Sequence, residues 1–192
     1  MDHSDIALLS LMAGGDEAAL RELMSRYKES VYRFAYRFLQ NEADASEVAA
    51  ETFIRVYRKA NDFKPTAKVS TWIFTITSNF CRDYARKAWR RKVFSLFGSP
   101  PGSTDEDSPT LEDAIADDKP DAGETTALRD TAAQALRAVE ALPSKLKAPF
   151  ILHVLEDHSQ KECAQILGTS EKAVETRIYR ARKLIAKAME NA

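Results

Sequence analysis

Apolar residues at Leu20, Leu23, Met24, Tyr27, Val31, Phe34, Ala35 and Phe38 fall three and four apart, which puts them on one side of an α-helix. The pattern predicts a long amphipathic helix from Asp16 to Leu39, with Asp16 as its cap. A shorter apolar helix over Ile6 to Ala13 precedes it, and Gly14-Gly15 separates the two. A second long helix is expected from Asp44 to Ala60, opened by Asp44 and Glu47, whose charges suit the positive end of the helix dipole. After a connector, residues 61–69, broken by Pro65, a third runs from Ser70 to about Lys92 with Trp72, Ile73, Ile76, Phe80 and Tyr84 on one side. Strand-like alternation is scarce, so the expected fold class is all-α.

From Val93 to Glu124 the periodicity gives way to Gly, Ser, Pro and acid, too little apolar surface to order a chain. Helical spacing returns from about Thr125 to Ala141, pauses at Leu142-Pro143, and resumes from Ser144 to Leu155. Ser159-Gln160-Lys161-Glu162 has the Ser-x-x-Glu form of a capping box and opens a short helix to Leu167. Gly168-Thr169-Ser170 turns the chain, Ser170 caps again, and a last helix runs to about Met189. A short helix, a glycine-containing turn and a longer basic helix form the helix-turn-helix pattern. Two small helical domains, 1–92 and 125–192, are therefore expected, joined by a flexible linker over 93–124.

Charge changes the picture only when divided. The 192 residues carry 28 Lys+Arg against 29 Asp+Glu, a net charge of −1, which taken whole argues against a polyanionic partner. By segment, Ser70 to Lys92 holds Arg82, Arg86, Lys87, Arg90, Arg91 and Lys92 against Asp83. The last helix holds Arg177, Arg180, Arg182, Lys183 and Lys187, with no acid between Glu175 and Glu190. The linker cancels both with Asp105, Glu106, Asp107, Glu112, Asp113, Asp117, Asp118 and Asp121. Two surfaces suited to nucleic acid are thus joined by an acidic tether.

Long cationic side chains on the last helix can neutralise phosphates, while Lys172, Glu175, Thr176 and Arg177 near its start can face base edges in a major groove. Its Ala173, Val174, Ile178 and Ala181 are expected to pack inward. In the third helix Trp72, Phe74, Phe80, Tyr84 and Trp89 interleave with the cations, a combination that suits single-stranded or melted DNA, although core packing also explains rings such as Trp72 and Phe80.

Enzyme chemistry has little support. His3, His153 and His158 form no H-x-x-x-H pair, and the chain lacks a Gly-rich phosphate loop, G-x-S-x-G or a Cys/His cluster, so no metal or cofactor is expected. Cys81 and Cys163 belong to no C-x-x-C and read as packing residues in a reducing cytoplasm. The chain shows neither a signal-peptide pattern nor an apolar run long enough to span a membrane, so a cytoplasmic protein with no stable membrane association is expected.

Segments 44–58 (DASEVAAETFIRVYR), 70–86 (STWIFTITSNFCRDYAR) and 159–184 resemble the extracytoplasmic-function group of bacterial sigma factors, small two-domain members of the sigma-70 family. The resemblance covers both domains in the family's order. It implies a non-enzymatic alternative sigma factor that binds core RNA polymerase and directs initiation at particular promoters by recognising −10 and −35 elements and aiding melting. By position, Asp44, Glu47, Glu51, Phe53 and Arg55 would contact the polymerase. Asp62, Phe63 and Lys64 lie where the family captures an extruded −10 base, and Asn79, Asp83, Arg86, Arg90 and Arg91 would face −10 DNA. Lys172, Glu175, Thr176, Arg177, Tyr179, Arg180 and Arg182 would read or grip the −35 element. Glu175 departs from a position often basic in relatives. An acid there can accept from a cytosine amine but repels phosphate. The linker, by the same resemblance, would thread toward the RNA exit path, and family habit implies an anti-sigma partner. A stand-alone helix-turn-helix repressor or activator, its first domain dimerising or binding a ligand, is the other reading open to the sequence.

Overall fold

Eight α-helices account for most of residues 4–97 and 127–190, the part of the chain that the computed structural model describes. They are α1 (Asp5–Ala13), α2 (Glu17–Leu39), α3 (Glu42–Arg58), α4 (Val69–Phe97), α5 (Ala127–Glu140), α6 (Ser144–Phe150), α7 (Gln160–Leu167) and α8 (Glu171–Glu190). No strand occurs among the described residues.

The starts are set by side-chain oxygens that take up otherwise unpaired backbone N–H groups. Asp16 Oδ1 accepts from the N–H groups of Ala18 at 2.7 Å and Ala19 at 3.2 Å. Asn41 Oδ1 accepts from Asp44 N–H at 2.9 Å, so α3 begins two residues earlier than acid placement alone suggests. The capping box at α7 is complete: Ser159 Oγ accepts from Glu162 N–H at 3.2 Å, and Ser159 N–H donates to Glu162 Oε2 at 2.8 Å. Gly168, at φ 62°, takes the left-handed conformation that ends α7, and Ser170 Oγ caps α8 through Ala173 N–H.

Two boundaries differ from expectation. Helix α4 continues to Phe97, so residues 93–97, read as the start of the linker, are helical. The segment 144–155 is an α-helix only to Phe150 and continues as a π-helical turn over Ile151–Leu155. Pro149 lies just before that change and cannot donate to the backbone ladder. The rest of the acidic linker, 98–124, lies outside the described residues.

Leu8, Leu23, Val31, Val56 and Ile73 knit α1 to α4. Phe34, fully buried, packs near Phe38 and meets the edge of Phe74 at 5.8 Å between ring centroids. In the second half Ile151, Leu152, Cys163, Ile166, Val174 and Ile178 are buried. These two sets are not sealed off from each other. Phe34 and Phe74 share one apolar cluster with Ile151, Leu152 and Cys163, as α4 packs on α7 and α2 on α6 and the π-helical turn. Cys81 and Cys163 are free and buried, and burial raises both thiols, Cys163 to about 12, so they are packing residues rather than nucleophiles. Among the described residues no helix is long and apolar enough to cross a membrane.

Candidate nucleic-acid interface

Helix α8 buries Val174, Ile178 and Ala181 and turns the rest of its surface outward. The inward positions recur at four and three, so positions 172, 175, 176, 179, 180, 182 and 183 are all exposed. Tyr179 stands out at 67% exposure, far above what a ring of that size needs for packing. Arg177 is half-buried at the edge of the face. The acid that departs from the expected pattern has a partner: Lys172 Nζ donates to Glu175 Oε2 at 2.9 Å. Thr176 Oγ1 donates back to the Lys172 carbonyl at 2.8 Å, so its hydroxyl is tied to its own helix.

The second surface lies between α3 and α4. A groove of about 590 Å³ is lined by Glu47 and Glu51 from α3 and by Phe80, Asp83, Arg86 and Arg90 from α4, among others. Residues expected to serve polymerase docking and residues expected to face −10 DNA therefore share one groove. Its walls approach each other: Arg55 of α3 lies over the Phe80 ring, 5.4 Å from the centroid, and the Glu47 carboxylate lies near Tyr84. Desolvation first, and that carboxylate second, push the Tyr84 hydroxyl up to about 12, so it stays protonated. Along α4, Arg82 donates to Asn79, Arg86 pairs with Asp83, and Lys87 Nζ sits 5.4 Å from the Tyr84 centroid. Arg90 and Arg91 continue the exposed basic edge.

The connector before α4 folds into a 3₁₀ turn, Ala60–Asp62, with Asp62 exposed and 3.7 Å from Lys59 Nζ. Phe63 is half-buried, its ring 5.3 Å from that of Trp72, and Lys64 is exposed. On α3, Glu47, Glu51 and Arg55 are exposed and Asp44 is half-buried in the first turn. Phe53 corrects the expectation placed on it. It is 4% exposed within the first apolar cluster, because its position on α3 repeats with Val56 and points inward, so in this fold it packs the core and presents no surface.

Sequence reasoning missed a third constellation, where the halves meet. Glu156, just after the π-helical turn, is 3% exposed in its side chain; its Oε1 lies 2.6 Å from Arg37 Nη1 and its Oε2 3.1 Å from Arg33 Nη2. Lys68 Nζ lies 2.9 Å from Glu162 Oε1, and the His158 ring meets Phe74 edge-on at 4.6 Å. The partners lie far apart in sequence, so no local spacing could have signalled them.

Residues 23–91 match the family Sigma-70 region 2, and residues 132–185 match Sigma-70, region 4. The chain is 29% identical over 179 residues to the ECF RNA polymerase sigma factor SigW of Bacillus subtilis, an alignment covering 92% of each chain. It is 31% identical over 183 residues to the RNA polymerase sigma factor CnrH of Cupriavidus metallidurans, covering 94% of this chain and 92% of that one. CnrH in complex with the cytosolic domain of CnrY superposes with a TM-score of 0.68 at 24% identity, covering 98% and 99% of the two chains. The sigma factor RpoE in complex with the anti-sigma factor NepR from Bartonella quintana superposes at 0.62 and 19% identity, covering 88% and 96%. With both regions matched in order around the two basic surfaces, the chain belongs to the extracytoplasmic-function sigma factors of the sigma-70 family.

Proposed function

We propose that this sigma factor reads the −35 duplex with α8 and grips the melted −10 strand with α4 and the connector before it, while α3 docks core RNA polymerase beside that strand. The observation that carries this division is the outward face of α8, where Tyr179, Arg180 and Arg182 stand exposed on a helix held by Val174 and Ile178 behind the Gly168 turn. A capped helix of this kind presents one row of side chains to a major groove without rearranging. On the other surface Lys64, Arg86, Arg90 and Arg91 supply the charge that a strand of phosphates needs, and Phe63 on Trp72 gives the connector an aromatic support. Extruding a base costs a few kcal/mol, which contacts to the melted strand must offset.

The chain acts without chemistry of its own: it hydrolyses no nucleotide, and melting draws on binding energy in the holoenzyme. It works in the cytoplasm, with core polymerase and promoter DNA as partners and an anti-sigma factor as its regulator. Residues 1–92 and 125–192 serve as the two functional domains.

Purified chain added to core polymerase should give transcripts from particular promoters and none from shuffled templates. Tight operator binding without polymerase, and no promoter-specific transcripts with it, would replace this reading by that of a stand-alone helix-turn-helix regulator.

A further inference from the structure

We propose that Lys172 and Glu175 act as one unit on the outward face of α8 and read a single base pair, with guanine beneath Lys172 and cytosine beneath Glu175. The inference deepens the proposed reading of the −35 duplex and rests on it. Lys172 Nζ donates to Glu175 Oε2 at 2.9 Å, so a donor and an acceptor stand side by side and exposed on the helix. A G·C pair offers the complement. Its guanine O6 accepts from the cytosine N4 amine at about 2.9 Å, and each of the two groups keeps a lone pair or a hydrogen turned into the major groove. Laid against that edge, Lys172 donates to O6 while Glu175 accepts from N4, and the ion pair itself stays intact. The ammonium has three hydrogens, so it also reaches guanine N7 after serving Glu175 and O6.

The pair has little value as a stabilising device. Both side chains are exposed, where an ion pair contributes little. Lys172 lies in the first turn of α8, at the positive end of the dipole, and lysine before glutamate is the less favourable order along a helix. Thr176 supports the same assignment: its one hydroxyl hydrogen goes to the Lys172 carbonyl at 2.8 Å, which leaves the acceptors of the base to the lysine. The fixed order of donor and acceptor ranks the base pairs. C·G sets Lys172 against an amine and Glu175 against a carbonyl oxygen, and A·T does likewise with N6 and O4, so both put donor against donor and acceptor against acceptor. T·A offers O4 and N6 in the right order but has a methyl group where guanine has N7. The ranking is therefore G·C first, T·A second, and A·T and C·G last.

The test presents the full chain, assembled with core polymerase, with duplexes randomised over the −35 region, and sequences the bound fraction. The parent should enrich one position for G·C over C·G about fivefold or more. Lys172→Glu with Glu175→Lys exchanges donor and acceptor at unchanged net charge, and should invert that position to C·G. Lys172→Ala with Glu175→Ala should level it while the other enriched positions stay as in the parent. Both variants alter exposed side chains only, so thermal unfolding of each should match that of the parent. An exchange that levels the position without inverting it overturns the reading of the pair as one unit. A parent selection that neither variant alters overturns the assignment and leaves the proposed function standing. Absence of any enriched sequence with the parent overturns the proposed function itself, and this assignment with it.

Discussion

Helices α4 and α8 both turn cations outward, but they hold them in different ways. On α8, Arg180, Arg182 and Lys183 are exposed and make no ion pair among the described residues, while the acid at the start of the helix is already taken by Lys172. On α4 the cations are engaged at home: Arg82 with Asn79, Arg86 with Asp83, Lys87 over Tyr84. A duplex presents phosphates at fixed spacing, so a reader can be fully formed in advance. A melted strand exists only after the duplex opens, and a surface that grips it can keep its charges internally satisfied until then. Under the proposed function the difference means that α8 is ready to bind, whereas α4 must exchange partners to do so.

The largest effect should come from the ready surface. Arg180→Ala should weaken binding of the full chain to its −35 duplex by about 1–3 kcal/mol, read by fluorescence anisotropy at fixed salt. Because Arg180 is exposed and outside the core, thermal unfolding should be unchanged. Equal loss on every duplex sequence would reassign Arg180 from a base edge to a phosphate.

A smaller gain should follow from freeing a charge on the engaged surface. Asp83→Asn releases Arg86 from a half-exposed pair, whose value is about 0.2–1 kcal/mol. Binding to single-stranded oligonucleotides should tighten by up to about fivefold, and its salt slope should steepen by roughly 0.7 as Arg86 neutralises one more phosphate. Weaker binding instead would mean that Asp83 itself holds a base of the strand, and that the α4 face is as finished as that of α8.

Smaller still is Glu175→Gln. The Lys172–Glu175 pair is exposed, with side-chain accessibilities of 81% and 53%, so breaking it changes stability by no more than a few tenths of a kcal/mol. The freed Lys172 should raise affinity for any duplex about twofold. If Glu175 also accepts from a cytosine amine, preference for that base pair falls in a panel of single-base duplex variants. No change in either quantity would remove both residues from the interface.

Much of this layout is legible in sequence because it is local. The three-and-four spacing over Leu20 to Phe38, the Asp16 cap and the Ser159–Glu162 box all act within a turn or two, and each appears where its pattern indicates. The outward face of α8 follows from the same periodicity. Phe53 misleads because family position places it on a docking helix, while its neighbour pattern with Val56 places it in the core. The π-helical turn is invisible, since one extra residue per turn leaves the apolar spacing of Ile151 and Leu152 unchanged. The ion pairs between the halves cannot be read at all: Arg33, Arg37 and Glu156 each look like ordinary surface charges until the fold brings them together.

That contact also joins the two basic surfaces, since it fixes the α4 half to the half bearing α8, and pH should loosen it. His158 is buried against Phe74 with Glu156 and Glu162 nearby on its own half and Lys68 across from it. Its backbone carbonyl is contacted by His153 Nδ1 and Cys163 Sγ. Desolvation, the largest influence, lowers its pKa in spite of the two acids, so the folded chain prefers the neutral ring. On unfolding, the ring returns toward its ordinary value of about 6.5 and binds a proton more readily than when folded. Its contribution to stability is therefore complete above about pH 6.5 and weakens as pH falls below it. Glu162 acts lower: Lys68, its largest influence, together with Ser159 holds it down at about 2, so its share is lost as pH falls from the ordinary carboxyl range toward about 2. Thermal stability should fall in two separate steps on acidification, and His158→Gln should erase the first while leaving the second. A first step that survives His158→Gln would mean that another group loosens the contact and that the ring merely fills space beside Phe74.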